Sequence, residues 1–114
     1  MTARRVAAAL GFLGVALGAF GAHGLKGSFV VPDGADWWKT ATLYHLIHAA
    51  AALATGRADG RASAATWCFA GGVLLFSGSL YAMALTDARW LGAVTPVGGA
   101  AFLAGWALLL LRKG

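Results

Sequence analysis

The chain of 114 residues contains no glutamate, a single cysteine and two prolines, and Asp, Lys and Arg together make up only 11% of it. Soluble domains carry about 25% charged residues, so there is too little charge here to cover a water-soluble globule of this size. A soluble cytosolic enzyme is thereby disfavoured. The four acids are all Asp in candidate loops, which leaves few residues for carboxylate chemistry. Cys68 alone supports neither an internal disulfide framework nor a cysteine-based zinc site. The net charge of +5 does not indicate nucleic acid either, because the nine basic residues occur singly or in pairs and form no patch or stripe. No glycine-rich phosphate loop follows a strand, and no dinucleotide fingerprint is present.

What is abundant is apolar sequence, at 60% hydrophobic residues. Four stretches carry no formal charge: Val6–Leu25, Thr40–Gly56, Ala62–Thr86 and Trp90–Leu111, together 84 of the 114 residues. A bilayer core requires roughly 17 to 25 apolar residues in a helix, so each run is long enough to cross once, the second marginally. The expected fold is an all-α membrane protein, a bundle of four transmembrane helices in one domain (1–114), with spans at about 6–25, 38–56, 63–86 and 90–111 and an outer loop at 26–39. A soluble four-helix bundle would need a charged face on each helix, and these runs have none. A β-barrel would need period-two alternation, which Leu74-Leu75-Phe76 and Ala107–Leu111 break.

Basic residues set the orientation of such a bundle. Arg4, Arg5, Arg57, Arg61, Arg112 and Lys113 share one side with Asp59, for +5; Lys26, Lys39 and Arg89 share the other with Asp33, Asp36 and Asp87, for zero. Both termini are therefore expected in the cytoplasm. Trp37, Trp38 and Trp90 fall at the outer boundary and Trp67 at the inner one, as interface anchors do. Arg4-Arg5 followed by an apolar run also imitates a secretion signal, but the run is long enough to span, and Gly11, Gly14, Gly18 and Gly21 recur at helical spacing as a retained packing face would.

In the outer loop Pro32-Asp33-Gly34 marks a turn, Asp36 is placed to cap a helix starting at Trp37, and Gly27–Val31 is suited to the membrane surface. Pro96 either kinks the fourth helix, the preferred reading, or stands in its first turn with Thr95 as the N-cap and a non-helical entry over Trp90–Val94.

Several stretches are recognisable together: Leu17-Gly-Ala-Phe-Gly-Ala-His-Gly24, Tyr44-His-Leu-Ile-His48, Leu75-Phe-Ser-Gly-Ser-Leu-Tyr81, Thr95-Pro-Val-Gly-Gly99 and Phe102-Leu-Ala-Gly-Trp-Ala107. In this order, over nearly the whole chain, they closely resemble a family of small four-span membrane proteins known as domain of unknown function 423, related to transmembrane protein 256. The resemblance implies a bacterial inner-membrane location and a four-helix fold, and no established activity. Relatives in that family often carry Gln at the position of His45, so a function shared by His45 and His48 is not implied as a family trait.

Depth along the helices supplies the clue to chemistry. His48, His45, Tyr44, Ser77, Ser79, Thr95 and His23 lie at or outward of the midplane, while the inner half is nearly all apolar, which suggests a polar cluster or an outward-facing cavity. His45 and His48 share a helix face with Tyr44 one turn from His48. The pair could hydrogen-bond across the bundle, handle protons or a substrate, or ligate a metal or haem. The first reading is preferred: no His-Glu-x-x-His signature and no carboxylate in any span completes a metal site, and no metal or cofactor is expected. At 100° per residue His23 falls opposite the glycine stripe, so either the glycines or His23 face the bundle interior. Gly78, Gly98 and Gly99, with Gly71-Gly72 and Gly105, read as helix-packing positions rather than catalytic ones.

Three functions follow in order of preference. The first is a structural or accessory module, not an enzyme, whose partners are the lipid bilayer and either copies of itself or a larger membrane complex, with no nucleic acid. The second is a small, oligomeric transporter or channel-like protein using the polar cluster, with His48 proton-sensitive. The third, least supported, is a membrane enzyme or a haem- or metal-binding protein.

Overall fold

A computed structural model describes residues 1–24, 27, 29 and 32–112. Lys26 and Lys113, two of the basic residues used for orientation, and most of the Gly27–Val31 stretch lie outside the described residues.

Charge-free sequence becomes helix because hydrocarbon leaves backbone N–H and C=O groups no partner but each other. Helix α1 (Ala3–Ala19) continues as a π turn, Phe20–Gly24. Helix α2 (Gly34–Ala52) ends in a 3-10 turn, Leu53–Thr55. Helices α3 (Ala64–Gly72) and α4 (Gly78–Thr86) are joined by a π turn, Val73–Ser77, into one rod, and α5 (Thr95–Leu111) follows a 3-10 turn, Arg89–Ala93. Three of the four rods, Ala3–His23, Ala64–Thr86 and Arg89–Leu111, are long and apolar enough to cross a membrane. The α2 rod carries Asp36, Lys39, His45 and His48, and lies between α1 and the α3–α4 rod, where neighbours cover much of its polar surface. Helix α5 packs on the other side of the α3–α4 rod, giving a slab 47 × 26 × 18 Å.

Local signals fix the ends. Thr2 Oγ1 accepts from the Arg5 N–H at 3.1 Å, and Ser63 with Thr66 forms a capping box at the start of α3. Asp87 ends α4 in the left-handed region at φ 55°, which Asp tolerates better than most residues. Two boundaries differ from the sequence expectation. Helix α2 begins at Gly34, within the stretch expected to be loop, with Asp33 rather than Asp36 at its N-cap and no side-chain cap bond. Pro96 stands in the first turn of α5, where its missing N–H costs nothing, so the preferred mid-helix kink is incorrect; the entry is a 3-10 turn capped by Val94.

Chain ends meet at one end of the slab. Ala3 N–H donates to Gly60 O at 3.1 Å, and Ala62 N–H donates to Met1 O at 3.0 Å. Arg112 reaches back to Thr55 O at 2.9 Å and Gly56 O at 3.2 Å, satisfying carbonyls at the end of the α2 rod.

Glycines set the interhelical distances. A Cβ on Gly14, Gly18 or Gly21 would meet Leu46, Thr42 or Trp38 of α2, so three of the four stripe glycines face the bundle and His23 is exposed. Gly98 lies against the backbone of Leu75 and Phe76, Gly72 against Phe102, and Gly105 against Phe69. Gly11 has open space where a Cβ would stand, Gly78 has only Val73 O at 4.0 Å, and Gly99 only an ordinary contact with Phe76 at 3.9 Å, so these three are not the tight packing positions expected.

Candidate functional site

His45 and His48 lie on α2, both buried. His45 Nε2 is 2.8 Å from Leu10 O of α1, and a carbonyl only accepts, so Nε2 carries the proton. With no acid in any span to balance an imidazolium, the ring is neutral and Nδ1 accepts from the Tyr81 hydroxyl at 3.1 Å. Tyr81 in turn accepts from Thr42 Oγ1 at 3.2 Å. This chain, Thr42 to Tyr81 to His45 to Leu10 O, ties α1, α2 and α4 together, and Gly14 lets the His45 ring approach α1.

His48 has the opposite tautomer. Its Nδ1 donates to Tyr44 O at 2.7 Å, and its Nε2 accepts from the Trp106 indole N–H at 2.9 Å, since indole has no acceptor. The ring stacks on Phe102 at 3.7 Å between centroids with 9° between planes, and Phe69 meets it edge-on at 5.3 Å. Tyr44 joins this aromatic group through Phe76 at 4.6 Å and is partly exposed.

The serines are also engaged. The π turn leaves Ser77 fully buried, and its hydroxyl donates to Ala41 O at 2.7 Å. Ser79 lies 2.9 Å from Phe76 O and shares a hydrogen bond with the Thr95 hydroxyl, pinning α4 to α5. The candidates therefore form three separate groups: His45 with Tyr81, His48 with Trp106, and Ser79 with Thr95. Ser77, bonded to Ala41 O, and His23 join none of them. Two clefts open on the α1–α2 side, of about 320 and 370 Å³, and none of the seven candidate polar residues lines either. Chemically, the acceptor nitrogens of His45 and His48 are both occupied, so ligating a metal or relaying a proton there would first require breaking a bond between helices.

Sequence reasoning missed several participants. Trp38 is an internal residue, 4% exposed, with its indole N–H donated to Leu17 O at 2.8 Å and its ring 4.5 Å from Tyr81. Its expected role as an interface anchor is incorrect; Trp37, beneath Arg89 at 5.4 Å, and exposed Trp90 and Trp67 suit that role. Trp106 was legible only as an indole within an apolar run that would need an acceptor. The end expected to face inward is not featureless: Thr55, Ser63 and Thr66 are buried there, with Thr55 and Thr66 hydroxyls 2.6 Å apart and Arg112 3.2 Å from Ser63 Oγ.

Residues 17–99, which include all three histidines, Tyr81, Thr95 and Gly98, match the family model described as "Protein of unknown function (DUF423)". The chain belongs to the DUF423 family. Among its relatives are the UPF0382 inner membrane protein YgdD of Escherichia coli, 44% identical over 120 residues (95% of this chain, 90% of the relative), and the UPF0382 membrane protein YwdK of Bacillus subtilis, 42% identical over 106 residues (87% and 85%). A third, from Staphylococcus epidermidis, is 42% identical over 103 residues (87% and 84%) and is also named a UPF0382 membrane protein. No solved structure matches the chain. This DUF423 chain is accordingly an integral membrane protein, located in the cell membrane like its relatives.

Proposed function

We propose that the molecule is a structural or accessory four-helix module of the bacterial inner membrane, neither an enzyme nor a solute pathway, acting beside a larger membrane complex or as an oligomer of itself. The observation that carries this reading is the use of the buried polar side chains. His45, His48, Ser77 and Ser79 each hold helices, or turns within them, in place. A transport site would instead keep polar groups available to a passing ion or solute. Both termini lie in the cytoplasm in this proposal, supported by the meeting of the N-terminus, the 57–61 loop and Arg112 at the arginine-rich end.

Extraction in mild detergent followed by native pull-down is expected to recover a stoichiometric membrane partner or a defined oligomer. Recovery only as a monomer, together with proteoliposome flux that His48→Ala abolishes, would overturn the proposal in favour of transport. Reporter fusions at the C-terminus are expected to report the cytoplasm.

A further inference from the structure

Of the four glycines in the α1 stripe, Gly11 alone has no neighbour in the bundle: nothing lies within 4 Å of where its Cβ would stand. It forms the floor of the larger cleft, about 370 Å³, between α1 and α2, lined by Ala8, Gly11 and Val15 on one side and Leu46 and Ala50 on the other, with Arg4 at its mouth. From Arg4 to Val15 is 11 residues, about 16 Å of helix, which matches one leaflet of a bilayer whose core is about 30 Å thick. Arg4 is exposed and, among the described residues, makes no ion pair. The acid at this end, Asp59, accepts from the Arg61 N–H.

We propose that this cleft is a binding site for an anionic phospholipid of the leaflet at the arginine-rich end, one acyl chain lying over Gly11 and the phosphate paired with Arg4. An apolar trough one leaflet long fits an acyl chain, and an unpaired guanidinium at the headgroup level fits its phosphate; basic pockets between membrane helices bind such headgroups. A second copy seated across the same face by a two-fold axis would instead set Arg4 and Arg5 beside their own counterparts. The inference does not depend on the accessory function proposed above.

The test is native mass spectrometry of the full chain equilibrated with dioleoyl phosphatidylglycerol or dioleoyl phosphatidylcholine. The wild type is expected to retain one phosphatidylglycerol per chain, about fivefold in preference to phosphatidylcholine, the worth of one basic contact near the surface. Gly11→Leu, whose Cβ would stand in open space and whose side chain would occupy the trough, is expected to lose both lipids, while Gly71→Leu, at an equally open glycine on α3, retains them. Arg4→Gln keeps the fold and loses the preference, so the test stands even if Gly11→Leu fails to fold. Inorganic phosphate alone is expected not to displace the lipid. Retention by Gly11→Leu equal to wild type, absence of a phosphatidylglycerol preference, or a lipid-free dimer that Gly11→Leu dissociates would each overturn the proposal.

Discussion

The two helical hairpins, α1 with α2 and the α3–α4 rod with α5, use glycine in the same way and then diverge in what fills the space. In the first, Gly14, Gly18 and Gly21 receive Leu46, Thr42 and Trp38, and the contact is locked by polar bonds to backbone: His45 to Leu10 O and Trp38 to Leu17 O. In the second, Gly72 and Gly105 receive the rings of Phe102 and Phe69, and Gly98 touches main chain directly at the π turn. The two hairpins are therefore rigid in different places. Flexible side-chain ends can yield at Gly14, whereas Phe76 N and Cα at Gly98 cannot. Within a bilayer, where hydrophobic burial between helices adds little, both devices are needed: close approach for dispersion and hydrogen bonds for register.

Gly98→Ala is expected to be the most damaging substitution. Its Cβ would run into the main-chain N and Cα of Phe76, so reversible unfolding in mixed micelles should show a loss of about 3 kcal/mol. His45→Ala comes next, at about 2 kcal/mol, because it leaves Leu10 O without its side-chain donor and Tyr81 without an acceptor. His45→Gln, which can still present an amide to Leu10 O, should recover about half of that loss in the same measurement. Gly14→Ala should cost about 1 kcal/mol, since the nearest atom, 2.6 Å away, is the end of the Leu46 side chain. The smallest effect is expected for His48→Phe, which keeps the stack on Phe102 and gives up the Trp106 bond; about 0.6 kcal/mol is typical of interhelical bonds in membranes, and Trp106 fluorescence should shift as its N–H loses its acceptor. Equal costs at Gly98 and Gly14 would remove the distinction between the hairpins.

Much of the fold was legible in the sequence because hydrocarbon excludes charge, so charge-free runs mark helices whatever packs against them. A hydrogen-bonding role for His45 and His48 was legible for the same reason, since polar side chains in that medium need partners, whereas the single cluster or cavity expected of these histidines with Ser77, Ser79 and Thr95 is instead a set of separate bonds. Which partner each takes was not legible. Leu10 O and Ala41 O are main-chain acceptors that every sequence offers at every position, and only the relative rotation of α1, α2 and α4 selects them. The π turn at Val73–Ser77 likewise has no local signal; it sits where Gly98 brings α5 onto the backbone of Leu75 and Phe76. Trp38 misled because tryptophan at a span boundary usually anchors in the headgroups, and here Gly21 opens a space that admits its indole to Leu17 O.

In the proposed function His45 and His48 are neutral cross-links between helices rather than working groups. Solid-state nitrogen NMR of histidine-labelled protein in lipid bilayers reads the protonation of each ring nitrogen directly. At neutral pH the expected result is two neutral rings of opposite tautomer, His45 protonated at Nε2 and His48 at Nδ1. An imidazolium at either position, or the same tautomer at both, would contradict it.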